Sequence, residues 1–403
     1  MINKIFQIST SALRTDSKYL FLDQVIYSLL NFILLILINK FFGLNNVGKF
    51  SLLFSIHLFI QNIIFSLVYE PLNIHSFKDK HYSLFSLFLI IIFLIFFLTI
   101  IFVHLLKFSN IEIIGFVFFI TVFSFKNFFK KIGIQKNNSR YYFIISLFIY
   151  PVLLIILILL KNNINFNILF YFIAAFELIY LLCLKIEFLK FFKNSSLIDV
   201  LNLFQIIKER IKPNFIYSFS RYLSHLFITY FISLFLNYET LGVYRIFLSV
   251  LGVAHIFLQI QENIYPYKLS KIYSSSRLDF KKLFFGYLIS NLIIITAILI
   301  LVNHYSSLII NFFYSLNIDG YELILLLMSI EIFSLTIVNF SNYIMRIKGI
   351  FFHLYYFSFN DFILIFIGAL LLKNFNINGL LILMALQFLP KFIYSLINLF
   401  KRV

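Results

Sequence analysis

Ionisable side chains set inside long apolar runs are the residues of this chain that could do chemistry. Arg221, Arg245 and Lys391 interrupt runs of Leu, Ile and Phe, and so do the carboxylates Glu177, Glu331 and Asp361. Asp23, Glu70 and Glu262 stand nearer the ends of such runs, and Asn31, His225 and Gln259 share helical faces with charged neighbours. An ionised group at the centre of a bilayer costs at least about 2.5 to 3.5 kcal/mol on insertion scales, so it needs water or an opposite charge. Two arrangements meet that need. In the first, Arg221, Arg245 and Lys391, with His225, Asn31 and Gln259, line a wet cavity that attracts an anion. One of Glu331, Asp361, Glu177, Asp23, Glu70 or Glu262 then exchanges a proton or Na⁺. In the second, cations and carboxylates pair between helices only so that both can be buried.

The elements that must hold these residues follow from composition. Of 403 residues, 62% are hydrophobic and 12% charged, and the mean hydropathy is +0.98, which excludes a water-soluble chain. Twelve apolar stretches are long enough to cross the hydrocarbon: 20–42, 48–72, 82–106, 111–129, 141–160, 166–184, 214–236, 242–265, 281–302, 321–343, 350–372 and 378–399. The alternation of a membrane barrel is absent, so the spans are helices. The expected organisation is a cytoplasmic segment 1–19, an N-lobe 20–184, a connection 185–213, a C-lobe 214–399 and a cytoplasmic end 400–403. No cleavable leader is expected, because 1–19 has no apolar core.

The net charge of +17 sets topology and does not point to nucleic acid. With the N-terminus inside, 25 of the 33 Lys and Arg fall in inner segments, Lys126, Lys130, Lys131, Lys136 and Arg140 among them, against five in outer loops. Both termini are therefore expected in the cytoplasm. Span one places Asp23, Gln24, Tyr27, Ser28 and Asn31 on one flank, and span two Ser55, Asn62, Ser66, Tyr69 and Glu70. Span seven gathers Ser218, Arg221, Tyr222, His225, Thr229 and Ser233. Span eight gathers Arg245, Ser249, Gly252, His255, Gln259, Glu262 and Asn263. Spans three to five read as lipid-facing scaffold, with a kink at Pro151.

An offset of 194 lays Gly48 over Gly242, Phe50 over Tyr244, Ser55 over Ser249 and Asn31 over His225. The FFKKIG end of span four and the YIMRIKG end of span ten correspond as well. Repeats of six spans each lie parallel in the membrane, giving two six-helix bundles. The eight His lack metal-ligand spacing, and there is no GxxxxGK[ST] loop, so neither a metal, another cofactor nor enzymatic activity is expected. The lone Cys183 excludes an internal disulfide. The longest outer loop, 303–320, is too short and too poor in ionisable residues for an active site.

DQVIYSLLNF, the Gly43 turn, NVGKFSLLFSI and YEPL resemble the opening of Wzx-type O-antigen and polysaccharide flippases, in the multidrug/oligosaccharidyl-lipid/polysaccharide (MOP) exporter superfamily. ETLGVYRIFLSVLG and QENIYP are similar to the same family's seventh-to-eighth span region. The resemblance implies an all-α polytopic fold of twelve transmembrane helices that alternates between inward-open and outward-open states. It also implies that spans one, two, seven and eight line the cavity, with the cationic role on Arg221 and Arg245 and, less directly, on Lys391. The implied cargo is an undecaprenyl-pyrophosphate-linked oligosaccharide moved to the periplasmic leaflet of a bacterial inner membrane. A polysaccharide polymerase and a chain-length regulator are the implied protein partners. Lipid II flippases of the superfamily have two further C-terminal helices and more cavity Arg, so the expectation is a polysaccharide-unit carrier. An O-antigen polymerase and a multidrug exporter are the alternatives. The first expects a large external loop, and the second an acidic cavity.

Overall fold

A computed structural model describes residues 15–69, 81–106, 108–135, 138–184, 197–258, 269, 273, 277–316, 320–348 and 350–402. Among these there is no strand. Helices α1 (Thr15–Phe42) and α2 (Leu44–Ile64, continued by a π turn Phe65–Tyr69) are followed by α3 (His81–Leu105), α4 (Asn110–Gln135), α5 (Ser139–Leu159) and α6 (Leu169–Cys183). Next come α7 (Leu197–Phe231, with a π turn Ile232–Leu236), α8 (Tyr238–Val250), α9 (Arg277–Tyr314) and α10 (Glu322–Ile347).

The last helical stretch, Phe352–Arg402, is interrupted at Asn376, whose φ of 51° and ψ of −127° leave the helical region. Its arms are numbered α11 (352–375) and α12 (377–402). Asp361 and Lys391 lie 30 residues apart yet are hydrogen-bonded. Along one straight helix they would be separated by about 45 Å at 1.5 Å per residue. The arms therefore fold back on each other about Asn376, and Tyr356 stacks on Tyr394 with ring centroids 4.6 Å apart. With the stretch 352–402 divided at Asn376, and α8 with its second arm Gly252–Leu258, bent by 51°, counted as one broken span, twelve helical spans are long and apolar enough to cross a membrane. Leu159, Phe366 and Phe400 are 74%, 75% and 81% exposed, a surface that lipid solvates and water does not. The chain is a multi-pass membrane protein.

Several boundaries differ from the hydropathy reading. Residues 15–19 are the first turns of α1, and 197–213 run without a break into α7 through Pro213, so part of the expected connection is helix. Helix α9 continues to Tyr314, which shortens the expected outer loop 303–320. Its polar end is tied down there: Asn303 Nδ2 donates to Ser329 Oγ on α10 at 2.7 Å. Helix α4 starts on a capping box, in which Ser109 N and Oγ reach Glu112 Oε2 at 2.8 and 2.7 Å. It extends to Gln135, beyond the expected 129.

The described residues fall into two compact units, one up to Leu34 together with Ile56–Phe215, the other Leu35–Ser55 together with Ile216–Val403. The division cuts α1 and α2, so the tip of the first hairpin belongs by sequence to one repeat and by packing to the other. In the first unit, α4 packs on α6 through Phe116, Phe119 and Phe170, and Phe88 stacks on Phe128 at 4.7 Å. In the second, Phe280, Phe284, Phe340, Ile344 and Leu399 join α9, α10 and α12.

The repeat register is visible within the second unit. Helices α2 and α8 begin at Leu44 and Tyr238, an offset of 194. A Cβ on Gly48 would overlap the Tyr238 carbonyl, and a Cβ on Gly242 would lie 2.6 Å from the Leu44 carbonyl oxygen. The two helix starts thus cross by reciprocal glycine-to-backbone contacts. Gly48→Ala or Gly242→Ala should each lower stability by about 1 to 3 kcal/mol through overpacking. Gly286→Ala, with nothing within 4 Å of its Cβ, should leave it unchanged; thermal unfolding of the detergent-purified protein compares the three.

Candidate functional site

Two groups of buried charge emerge, one in each unit. In the second unit, α7 carries Arg221 and His225 one turn apart, and α8 carries Arg245 and His255 across its bend. Arg221 and Arg245 both lie within electrostatic range of His225 and of His255. The Arg245 guanidinium sits over the Phe54 ring, 4.3 Å from its centroid, so part of its low-polarity surroundings attracts rather than repels the cation. Ser55 and Thr229 hydroxyls are 3.3 Å apart, and His225 Nδ1 is 3.2 Å from Thr229 Oγ1. Glu331 on α10 is half-buried, with Arg221, Lys391 and Asp361 as its charged neighbours.

This arrangement brings together Arg221, Arg245 and His225. Lys391 requires a correction. Its Nζ donates to Asp361 Oδ1, and the two residues are 7% and 0% exposed. A sealed ammonium on a carboxylate presents no open charge to a ligand, so Lys391 is not a cavity cation and Asp361 is not an open ion-exchange group. Among the described residues, Arg221 and Lys391 lie near Glu331 and Asp361, so the cluster combines both signs of charge. Glu70, Gln259 and Glu262 lie outside the described residues. Asn31 is half-buried on α1, in the first unit.

The first unit holds what the sequence reading missed. Lys126 and Lys130 lie on α4, inside the helix and not in an inner loop. Lys126 Nζ is 2.7 Å from Glu177 Oε2 on α6, with side chains 2% and 3% exposed. It also donates to Tyr150 Oη at 3.2 Å and lies 4.1 Å from the Phe123 ring centroid and 5.3 Å from that of Tyr180. Lys130 Nζ donates to Asp23 Oδ2 at 2.5 Å, and Ser146 Oγ donates to the other oxygen of Asp23 at 2.5 Å. Tyr180 Oη lies 3.2 Å from Ser146 Oγ and donates to the Tyr142 carbonyl at 3.1 Å. Four helices, α1, α4, α5 and α6, are fastened by two carboxylates and two ammonium groups whose charges cancel.

Asp23 and Glu177, expected as coupling carboxylates, are thereby engaged by the chain's own lysines. Spans four and five also depart from the scaffold reading, since α4 and α5 supply most of this network. His57 and Gln61 of α2 also face α4: His57 packs on Phe123 at 4.6 Å, and Gln61 Nε2 donates to Ser124 Oγ at 2.7 Å. Tyr69, read on that flank, donates to the Ser124 carbonyl at 3.0 Å. The usable signal is the spacing of Lys126 and Lys130, four apart and therefore on one helical face.

No protein-family model and no curated protein matches the sequence. Solved structures do. An inward-facing multidrug resistance MATE family transporter of the MOP superfamily aligns with a TM-score of 0.66 at 9% identity, covering 96% of this chain and 94% of that one. The MATE multidrug transporter DinF-BH gives 0.65 at 13% identity, over 97% and 95%. The lipid II flippase MurJ, in an inward closed conformation, gives 0.61 at 15% identity, over 96% and 87%. The fold is all-helical, with twelve helices, and matches that of the MATE transporters.

Breaking the buried pair of the second unit should show whether it is structural. Lys391→Met should destabilise by about 3 to 5 kcal/mol by leaving a buried carboxylate alone, and the double variant Asp361→Asn with Lys391→Met should recover most of that loss. Thermal unfolding of the single and double variants closes the cycle; additive losses would place the two charges out of contact.

Proposed function

We propose that the protein is a flippase that carries an undecaprenyl-pyrophosphate-linked oligosaccharide, a surface-polysaccharide repeat unit, from the cytoplasmic to the periplasmic leaflet of a bacterial inner membrane by alternating access. The observation that carries this reading is the gathering of Arg221, Arg245, His225 and His255 on two consecutive helices within a membrane-embedded fold. Guanidinium groups bind pyrophosphate oxygens through paired N–H donors, and they do so most strongly where water is scarce. The fold shared with MurJ, a lipid II flippase, agrees with a lipid-linked cargo. The protein acts as a carrier and not as an enzyme in this reading, with the glycan lipid as its partner. A polymerase and a chain-length regulator of the glycan are its proposed neighbours.

A second reading, export of multidrug substrates, is favoured by the likeness to two MATE multidrug transporters. It calls for attraction of a cation, which two guanidinium groups beside His225 and His255 disfavour. The two readings separate in a strain deprived of its own surface-glycan flippase. The intact chain should restore surface glycan, and Arg221→Ala or Arg245→Ala should reduce display about tenfold or more at equal protein level, the scale of losing a charge-assisted hydrogen bond of roughly 1.5 to 3 kcal/mol. Normal display with both arginines replaced would refute the assignment. Drug resistance without glycan display would favour the exporter.

A further inference from the structure

We propose that Lys130 is a tethered counter-ion that fills a monovalent-cation position on Asp23, and that removing its ammonium group exposes a site for a small ammonium or alkali cation. A carboxylate buried among α1, α4, α5 and α6 must be neutralised, and either a mobile cation or a fixed one can do it. Here it is fixed. One oxygen of Asp23 accepts from Ser146 and the other from Lys130, and the Tyr180 ring centroid lies 5.5 Å from the Lys130 ammonium. Oxygen ligands and an aromatic face are what a small ammonium ion requires.

Exposure separates this pair from its neighbour. The side chains of Lys130 and Asp23 are 17% and 11% exposed, whereas those of Lys126 and Glu177 are 2% and 3% exposed. The first keeps some accessible surface; the second is sealed and holds α4 to α6. Charge balance gives the direction. Asp23 and Glu177 are matched by Lys126 and Lys130, so a further cation would bring a net positive charge into a low-dielectric site already facing Lys126. Asp23 therefore takes up no Na⁺ while Lys130 is in place. The inference does not rest on what the carrier transports.

Thermal unfolding of the full-length protein in detergent tests it, in NaCl, methylammonium chloride or choline chloride at equal concentration. The wild type should unfold at the same temperature in all three. Lys130→Ala should unfold several degrees lower and regain most of that difference saturably with methylammonium, the ion closest to the lost group, but not with choline, which has no N–H donors. The double variant Asp23→Asn with Lys130→Ala should not respond. An equal response of Lys130→Ala to methylammonium and choline would overturn the proposal, and so would a saturable Na⁺ stabilisation of the wild type that Asp23→Asn abolishes. Should Lys130→Ala fail to fold, the comparison of wild type with Asp23→Asn decides: identical midpoints of the wild type in NaCl and choline support the tethered ion, and an Asp23-dependent Na⁺ effect sinks it.

Discussion

A charge placed among apolar helices must be answered within a few ångströms, and this requirement shapes both units. Asp23 is answered by Lys130, Glu177 by Lys126 and Asp361 by Lys391. Each pair joins two different helices, so neutralisation and helix packing are one event. Lipid gives little hydrophobic gain for helix association, which leaves close packing and polar contacts to specify which helices meet. The first unit uses two such pairs to fasten α1, α4 and α6, with α5 supplying Ser146 and Tyr150. Among the described residues the second has Asp361 with Lys391, across the reversal at Asn376.

Once the pairs are accounted for, the polar residues sort by what they can still offer. Many hydroxyls on the polar flanks return to their own helix: Ser55 donates to the Ser51 carbonyl, Ser66 to Asn62, Thr229 to His225 and Ser233 to Tyr230. Such bonds let Ser and Thr sit in an apolar helix without any aqueous surface. A polar stripe is therefore weak grounds for a cavity, while a set of guanidinium groups is stronger. Arg221 and Arg245 cannot be neutralised by losing a proton, and their environment combines histidines, an aromatic face and one half-buried carboxylate.

Much of the fold is legible in the sequence because helix number and repeat register are written in features that survive divergence. Gly48 and Gly242 are matched in sequence because each must let a backbone carbonyl approach where a methyl group would collide. The misreadings share one cause. Hydropathy records the cost of a side chain in lipid, not whether a partner on another helix offsets it. It therefore makes Lys126 and Lys130 look like loop cations and ends span four short of Lys130. The polar end of α9 looks like loop for the same reason, although Asn303 is bonded to Ser329. Lys391 reads as a cavity cation because its partner Asp361 lies 30 residues away, a separation that only the reversal at Asn376 closes.

The two units differ in the ionic groups they bring together. In the first, the formal charges of the four-residue network cancel, and a mobile cation would have to displace a covalently held one whose local concentration it cannot match. In the second, guanidinium groups stand beside histidines and a half-buried carboxylate. If both units arose from one ancestral repeat, as the common register of α2 and α8 indicates, their specialisation lies in a few substitutions on a shared frame: Asn31 corresponds to His225, and Tyr27 to Arg221, under the same offset. Exchanging a neutral side chain for a guanidinium at an equivalent helical position alters the preferred ligand without altering which helices pack. That separation between packing contacts and charged positions is what allows structures with 9 to 15% identity to keep one architecture while their ionic interiors diverge.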